Sequence, residues 1–202
     1  KKKNLQSFKI NNKVNFVDIG VQKDLKKSLK ILKNSSNRKI VFFDRDGTIN
    51  KDIHYLIRPK DFIWNKSFFK TIRYLNSKNI LVFIVTNQSG IGRGYYSQTD
   101  VNKLHEWMNK ELIKKNSYID DFFYAPYYNK STKYKFNFSD LKKRKPNPGM
   151  IIEAKKKWDL NLKKSIIIGD SEVDELLAKK LNIKFYKVNF NSNLLKIVKP
   201  KL

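Results

Sequence analysis

The chain has 202 residues, 40% of them apolar, which is enough for one ordinary domain with a packed core and some additional sequence. It contains no cysteine, so disulfides and thiolate metal sites are excluded and we expect a cytoplasmic protein. We also expect no membrane partner, because no apolar run is long enough to span a bilayer and no secretory signal is recognisable.

The charge is strongly positive, since 44 Lys and Arg residues against 18 acids give a formal net charge of +26. Such a charge can bind nucleic acid through its phosphates or steer a small polyanionic substrate. The lysines are spread along the chain rather than gathered in one arm. This spacing favours a third interpretation, in which most lysines are solvated and have no specific partner.

The pattern along the chain divides it into four parts. Residues 1–33 form a strand–helix extension, and residues 34–37 (Asn-Ser-Ser-Asn) are typical of a linker. Residues 38–190 form the main domain, and residues 191–202 form a tail. We expect Lys196–Lys201 in this tail to be solvated and frayed.

Within the main domain, short apolar strands alternate with amphipathic helices. The predicted strands are Lys39–Phe43, Ile80–Val85, Asp120–Tyr124, Ser165–Ile168 and Lys184–Val188. The predicted helices cover residues 66–79, a segment capped at about Thr99, Pro148–Trp158 and Val173–Leu181. This alternation predicts an α/β fold, a Rossmann-like parallel sheet with helices on both faces.

Polar residues follow three of these strands, and ligands bind at the carboxyl ends of strands in an open parallel sheet. The residues are Asp44 and Asp46 after the first strand, Thr86 and Asn87 after the second, and Asp170 and Asp174 after the fourth. Acids gathered at one sheet edge repel each other, and a hard cation such as Mg²⁺ relieves the repulsion. Each Asp alone would be read as a turn or cap residue, but the set predicts a magnesium site.

These residues resemble the motifs of the haloacid dehalogenase superfamily. Residues 44–48 (DRDGT) are similar to its first motif, DxDGT, and Thr86-Asn87 is similar to the second. Lys145 matches the third motif and residues 169–174 (GDSEVD) match the fourth, GDxxxD. The resemblance covers residues 38–190 and implies a phosphatase of that fold, with a minimal cap formed by loops.

The resemblance also implies roles for the matching residues. Asp44 would attack phosphorus and form an aspartyl-phosphate, and Asp46 would act as general acid and then as general base. Thr86 and Lys145 would hold the transferring phosphoryl oxygens. Magnesium would be bound by Asp44, the Asp46 carbonyl and Asp170, and the supporting residues would be Gly47, Thr48 and Asp174.

Three longer segments, DRDGTIN, TNQSGIGRG and RKPNPGM, resemble the histidinol-phosphate and heptose-bisphosphate phosphatases. The resemblance places these residues at the substrate: Asp52, Ile53, His54, Tyr55, Asn87, Gln88, Ser89 and Arg144. Arg144 would grip a substrate phosphate through its guanidinium. The implied reaction is removal of the 7-phosphate from the phosphorylated sugar D-glycero-D-manno-heptose 1,7-bisphosphate, with histidinol phosphate as an alternative substrate.

The chain departs from this subfamily at its structural zinc site, which is built from three Cys and one His. The corresponding positions here are Ala125, Tyr127, Leu141 and Lys143, and none of these side chains is a zinc ligand. We therefore expect no zinc, and a 127–145 loop that other contacts hold or that is mobile.

Residues 14–25 resemble the end of sugar nucleotidyltransferases, where an FIDIG-type strand leads into a final helix. This resemblance implies a fused or partner nucleotidyltransferase, and the chain would then be part of a bifunctional protein. An unrelated strand–helix extension is the alternative.

Two other functions stay open. A polynucleotide 3′-phosphatase shares the TNQ-x-GI-x-RG pattern, and the charge of +26 fits a nucleic-acid partner. A non-catalytic module that binds nucleic acid or a membrane surface would also keep the fold. The complete set of Asp44, Asp46, Thr86, Lys145 and Asp170 argues against the latter.

Overall fold

The fold is taken from a computed structural model, which describes residues 38–128, 130 and 141–201. The interpretations of residues 1–33 and 34–37, and most of the loop before Leu141, lie outside this part of the chain. The described residues contain five strands, which are β1 (Ile40–Phe43), β2 (Leu81–Asn87), β3 (Asp121–Ala125), β4 (Ser165–Gly169) and β5 (Lys184–Lys187). All pair in parallel in the order β3-β2-β1-β4-β5, which confirms the predicted α/β sheet.

Five helices accompany these strands in the described residues. They are α1 (Phe68–Ser77), α2 (Gln98–Ile113), α3 (Gly149–Trp158), α4 (Glu172–Leu181) and α5 (Leu194–Val198). Short 3₁₀ turns cover Pro59–Asp61, Leu162–Lys164 and Lys199–Lys201. None of the helices in the described part of the chain has both the length and the apolar character needed to cross a membrane.

The central strand β1 is buried on both sides, which is why it reads as an unbroken apolar run. Val41 and Phe43 face a core shared with α1, α2 and α5. Ile40 and Phe42 face the opposite core, shared with α3 and α4. Helices therefore cover both faces of the sheet, so its carboxyl edge is where the chain leaves polar side chains accessible to a ligand.

Two element boundaries differ from the sequence prediction. The prediction of Thr99 as the cap of α2 is wrong, because Ser97 caps the helix and exchanges hydrogen bonds with Asp100 in a capping box. The second strand also continues through Thr86 and Asn87, which are paired with β3 rather than lying beyond the strand. Ladder hydrogen bonds thus fix the backbone of both residues.

The prediction of a tail is wrong for residues 194–198, although Lys196, Lys199 and Lys201 are exposed, as expected for solvated residues. Residues 194–198 form α5, and Leu194 and Val198 are fully buried against the core that contains α1. The high lysine content made this helix hard to recognise from the sequence. The lysines occupy its exposed face, and its apolar face packs inward. Asn65 adds hydrogen bonds to the carbonyls of Phe190 and Ser192.

We expect Leu194→Ala to lower the free energy of unfolding by about 2–5 kcal/mol, since it empties a fully buried site. Urea denaturation measures this change. Lys196→Ala on the exposed face of the same helix is the control and is expected to stay within about 0.5 kcal/mol of the parent protein. Equal unfolding curves for the two variants would show that the tail does not contribute to the core.

Candidate active site

A buried lysine lies between two carboxylates at the carboxyl edge of the sheet. The Nζ atom of Lys145 is 2.6 Å from Asp44 Oδ1 and 2.6 Å from Asp174 Oδ1. Asp44 directly follows β1, and Asp174 lies in the first turn of α4, after β4. Burial alone would lower the pKa of Lys145, but the two carboxylates outweigh it and raise the pKa, so the ammonium form is held.

Asp44, Asp170 and Asp174 each bring a carboxylate oxygen within 4.8 Å of the others. Burial raises the pKa of Asp44 to about 8, against the attraction of Lys145, and burial also raises the pKa of Asp170. Both oxygens of Asp174 already accept hydrogen bonds, one from Lys145 and the other from Ser171. Asp44 and Asp170 are therefore the carboxylates that can coordinate a cation.

Gly47 makes room for this acidic cluster. Its φ is +83°, and a Cβ atom at this position would lie 2.2 Å from Asp170 Oδ2, well inside van der Waals contact. Only glycine combines this conformation with this close approach. Oxygen-only donors with an excess of negative charge fit Mg²⁺, which binds through one or two carboxylates and keeps several waters.

A second polar network fixes Asp46. Its carboxylate accepts hydrogen bonds from Arg45, Asn50 and Gln88, at 2.9–3.2 Å. Burial would raise the pKa of Asp46, but Arg45 and the hydrogen bonds outweigh it and hold the pKa below its ordinary value. Asp46 is therefore a carboxylate in this structure, ready to accept a proton.

Gln88 connects this network to the end of β2. Its amide donates to Thr86 Oγ1 at 2.9 Å, and its Oε1 accepts from Tyr96 at 2.8 Å and from Arg45 at 3.2 Å. Burial raises the pKa of Tyr96 to about 12, so its hydroxyl keeps the donated proton. Gln88, expected at the substrate, is buried and positions its neighbours instead. Thr48 is also buried, and its Oγ1 has no partner within the described ranges.

Asn87 also differs from the substrate contact expected for it. Its Oδ1 accepts from the backbone N–H of Lys145 at 3.0 Å, and its Nδ2 donates to the Lys145 carbonyl at 3.1 Å. Both ends of the amide thus hold the backbone of one residue. Because β2 fixes Asn87 by ladder bonds, this clamp ties the position of Lys145 to the sheet.

The other expected substrate residues are exposed or half-buried, and their contact with a substrate stays a prediction. Asp52 and His54 are exposed, and Asp52 accepts a hydrogen bond from the His54 backbone at 2.8 Å. His54 and Tyr55 both have positive φ, 56° and 51°, a strained conformation that is common in binding loops. Ser89 and Arg144 are half-buried.

Sequence reasoning missed the structural role of Arg45, although it stands between two aspartates of the first motif. The fully buried guanidinium pairs with Asp46 and with the Leu56 carbonyl. A buried arginine needs a carboxylate partner, and the two flanking acids were the signal that could have revealed it. The sequence did not indicate the roles of Asn50 and Tyr96 in this network.

The model of the polynucleotide kinase 3 phosphatase family matches residues 39–191 of this chain. Among curated proteins, a D-glycero-β-D-manno-heptose-1,7-bisphosphate 7-phosphatase of Rhodopseudomonas palustris is 38% identical over 150 residues, covering 74% of this chain and 83% of the relative. A D-glycero-α-D-manno-heptose-1,7-bisphosphate 7-phosphatase of Campylobacter jejuni is 40% identical over 136 residues, covering 67% and 73%.

A solved structure has a similar fold and carries the ligands that such a site would hold. It is the D,D-heptose 1,7-bisphosphate phosphatase of B. bronchiseptica in complex with magnesium and phosphate. The TM-score is 0.66 at 25% identity, with 80% of this chain and 86% of that chain covered. A HAD-like phosphatase structure from Mesorhizobium loti has a TM-score of 0.60 at 30% identity, covering 72% and 69%.

We expect Gly47→Ala to weaken Mg²⁺ binding by about 10-fold or more, because the new methyl group must displace Asp170. Calorimetric titration of the folded protein with MgCl₂ measures the affinity. Gly94→Ala is the control, since φ at Gly94 is +79° and the backbone strain is similar, but Asp170 is not contacted. Unchanged Mg²⁺ affinity in Gly47→Ala would contradict Asp170 as a ligand.

Proposed function

This chain belongs to the haloacid dehalogenase phosphatases, in the family that includes the heptose-bisphosphate phosphatases, and we propose that it is a Mg²⁺-dependent sugar-bisphosphate phosphatase. The proposed reaction removes the 7-phosphate of D-glycero-D-manno-heptose 1,7-bisphosphate. The observation that carries the proposal is the buried arrangement of Asp44, Lys145, Asp170 and Asp174 beside the glycine turn at Gly47.

In the first step, Asp44 attacks phosphorus and the bond between phosphorus and the sugar oxygen breaks. The sugar oxygen takes a proton from Asp46, and the product is an aspartyl-phosphate on Asp44. Lys145 lies against the Asp44 carboxylate, so its ammonium group can stabilise the charge of the phosphoryl group that arrives there. Thr86 would offer its hydroxyl to the same group.

In the second step, a water molecule gives a proton to the Asp46 carboxylate and attacks the aspartyl-phosphate. The acyl phosphate bond breaks, inorganic phosphate leaves, and the Asp44 carboxylate is restored. The lowered pKa keeps Asp46 ionised and therefore able to accept a proton, although it also makes the carboxylate a weaker base. For the first step Asp46 must be protonated, and the approach of a phosphate dianion favours this by raising the pKa of a neighbouring carboxyl.

Magnesium, when bound, would neutralise phosphoryl charge and fix the oxygen positions. Its protein ligands would be Asp44, Asp170 and the Asp46 carbonyl. Asp174 would act through Lys145 rather than on the cation, because its oxygens are engaged by Lys145 and Ser171. The absence of zinc from the loop before Lys145 stays a prediction.

The names of the curated relatives support the sugar substrate, and they include both anomers of the heptose. The exposed rim of Asp52, His54 and Tyr55 offers hydrogen-bonding groups to a polyol. Removal of the 7-phosphate leaves a sugar 1-phosphate, which is the substrate form that a nucleotidyltransferase activates. We propose on this ground that residues 1–33 derive from such a domain.

Phosphate release with Mg²⁺ tests the proposal on both anomers of heptose 1,7-bisphosphate, histidinol phosphate and a 3′-phosphorylated oligonucleotide. We expect preference for the heptose and loss of activity on the order of a thousandfold or more in Asp44→Asn. Asp159→Asn, an exposed acid at the end of α3, is the control and should retain activity. Preference for the oligonucleotide would overturn the sugar substrate, and full activity in Asp44→Asn would overturn the nucleophile.

We expect Asn87→Ala to lower kcat by about 10- to 100-fold with a smaller change in KM, because Lys145 loses its clamp and shifts from the phosphoryl group. Asn109→Ala is a matched control, since Asn109 makes the same two hydrogen bonds to the backbone of Ile119. An equal effect of the two variants on kcat would show that Asn87 contributes only to stability.

A further inference from the structure

Arg93 lies in the glycine turn after β2, and Arg93 and Arg144 contact adjacent residues, Tyr128 and Tyr127. The turn is fixed by hydrogen bonds from Arg93 N to the Ser89 carbonyl and from Gly92 N to the Pro126 carbonyl, both 3.0 Å. The Arg93 guanidinium stacks on the ring of Tyr128, with its carbon 3.6 Å from the ring centroid. A rigid turn and an aromatic face therefore hold this cation in one orientation.

The polar atoms of Arg93 and Arg144 are poorly satisfied by the protein. Among the described residues, Arg93 Nε is buried without a hydrogen-bond partner, and Arg144 has one long bond of 3.4 Å to the Tyr127 carbonyl. Neither forms a salt bridge with a carboxylate in the described ranges. Burial and the charge of Arg93 both lower the pKa of Arg144, as expected for two cations held near each other.

Two half-buried guanidiniums without a carboxylate are stabilised when an anion binds between them. Their planar, forked donors match the oxygens of a phosphate, and each can bond in bidentate fashion. The arginine pair thus has the chemistry of a phosphate site, with no carboxylate from the described part of the chain paired to it.

The segment that both arginines contact lies apart from Asp44 in the sheet. Asp44 follows β1, whereas the segment at Pro126–Tyr128 follows β3, two strands away in the sheet. Two strand spacings are about 10 Å. Arg144 directly precedes Lys145 in the chain, so it connects the arginine pair to the carboxylate cluster at Asp44. A substrate with one phosphate at Asp44 would need a second phosphate to reach the arginine pair.

We propose that Arg93 is a further substrate-binding residue, which binds together with Arg144 the phosphate that the reaction leaves in place. The proposal rests on the proposed function, because it assigns the second phosphate of the same sugar bisphosphate. Tyr128 serves as the platform that aligns the guanidinium. The pair would make the enzyme prefer bisphosphates over monophosphates of the same sugar.

Steady-state kinetics of Arg93→Met on heptose 1,7-bisphosphate and on heptose 7-phosphate test the proposal. We expect the preference for the bisphosphate, the ratio of the two kcat/KM values, to fall by about 10- to 100-fold, mainly through KM. Arg93→Lys should recover part of the ratio, since it keeps the charge without the fork. Lys156→Met, an exposed lysine of α3, removes one charge elsewhere and should leave the ratio unchanged.

The double variant Arg93→Met/Arg144→Met adds a second test. If both residues bind one phosphate, the double variant should lower the bisphosphate preference by less than the product of the factors for the two single variants. An unchanged ratio in Arg93→Met, or an equal loss on both substrates, overturns the proposal and makes the arginine a structural residue.

Failure of the proposed function would be seen separately, as the absence of Asp44-dependent phosphate release from every substrate. Calorimetric binding of heptose 1,7-bisphosphate to Asp44→Asn then tests Arg93 without turnover. An affinity that falls about 10-fold or more with the added Arg93→Met change supports the arginine pair. An affinity that does not depend on Arg93, or no binding at all, overturns it.

Discussion

The ion pairs of Lys145 with Asp44 and Asp174 are the interaction on which the rest of the site depends. Removing one partner of a buried ion pair costs about 3–5 kcal/mol, because the remaining charge has no water to solvate it. The three carboxylates of the cluster and the one ammonium group leave two negative charges when all are ionised. Burial is the main cause of the raised pKa of Asp44 and Asp170, and the negative charge of Asp174 adds to it. A divalent cation would offset the excess negative charge.

The parallel sheet can contain this buried charge cluster because apolar side chains fill its two cores, while the polar side chains are confined to its carboxyl edge. Strand β1 contributes only apolar side chains to the two cores and ends in Asp44 at the edge. The neighbouring strands β2 and β4 end at the same edge with Asn87 and Gly169. The cost of burying charge is thus confined to one end of a sheet whose remaining length is a well-packed core.

The site explains the role of a few of the chain's many positive charges. Most lysines in the described part of the chain are exposed, as expected for solvated residues. Near the carboxyl edge, however, four cations are buried or half-buried: Arg45, Arg93, Arg144 and Lys145. Arg45 and Lys145 are neutralised by aspartates of the motifs, whereas the pair Arg93 and Arg144 has no carboxylate among the described residues. Local pairing, rather than the net charge of +26, therefore decides which cations can act on a substrate phosphate.

The sequence alone determined the parallel sheet and most of its strands, because a buried strand is a local apolar pattern. It also determined the candidate catalytic residues Asp44, Asp46, Lys145 and Asp170, because motif spacing is a local property of the chain. Only the tertiary structure decided that Asn87 holds the backbone of Lys145 and that Gln88 holds Asp46 and Thr86. It also decided that Leu194 and Val198 complete the core and that Arg93 and Arg144 contact the adjacent residues Tyr128 and Tyr127. These are contacts between residues far apart in sequence, and no local pattern of apolar, polar or charged residues specifies which distant partner a side chain will meet.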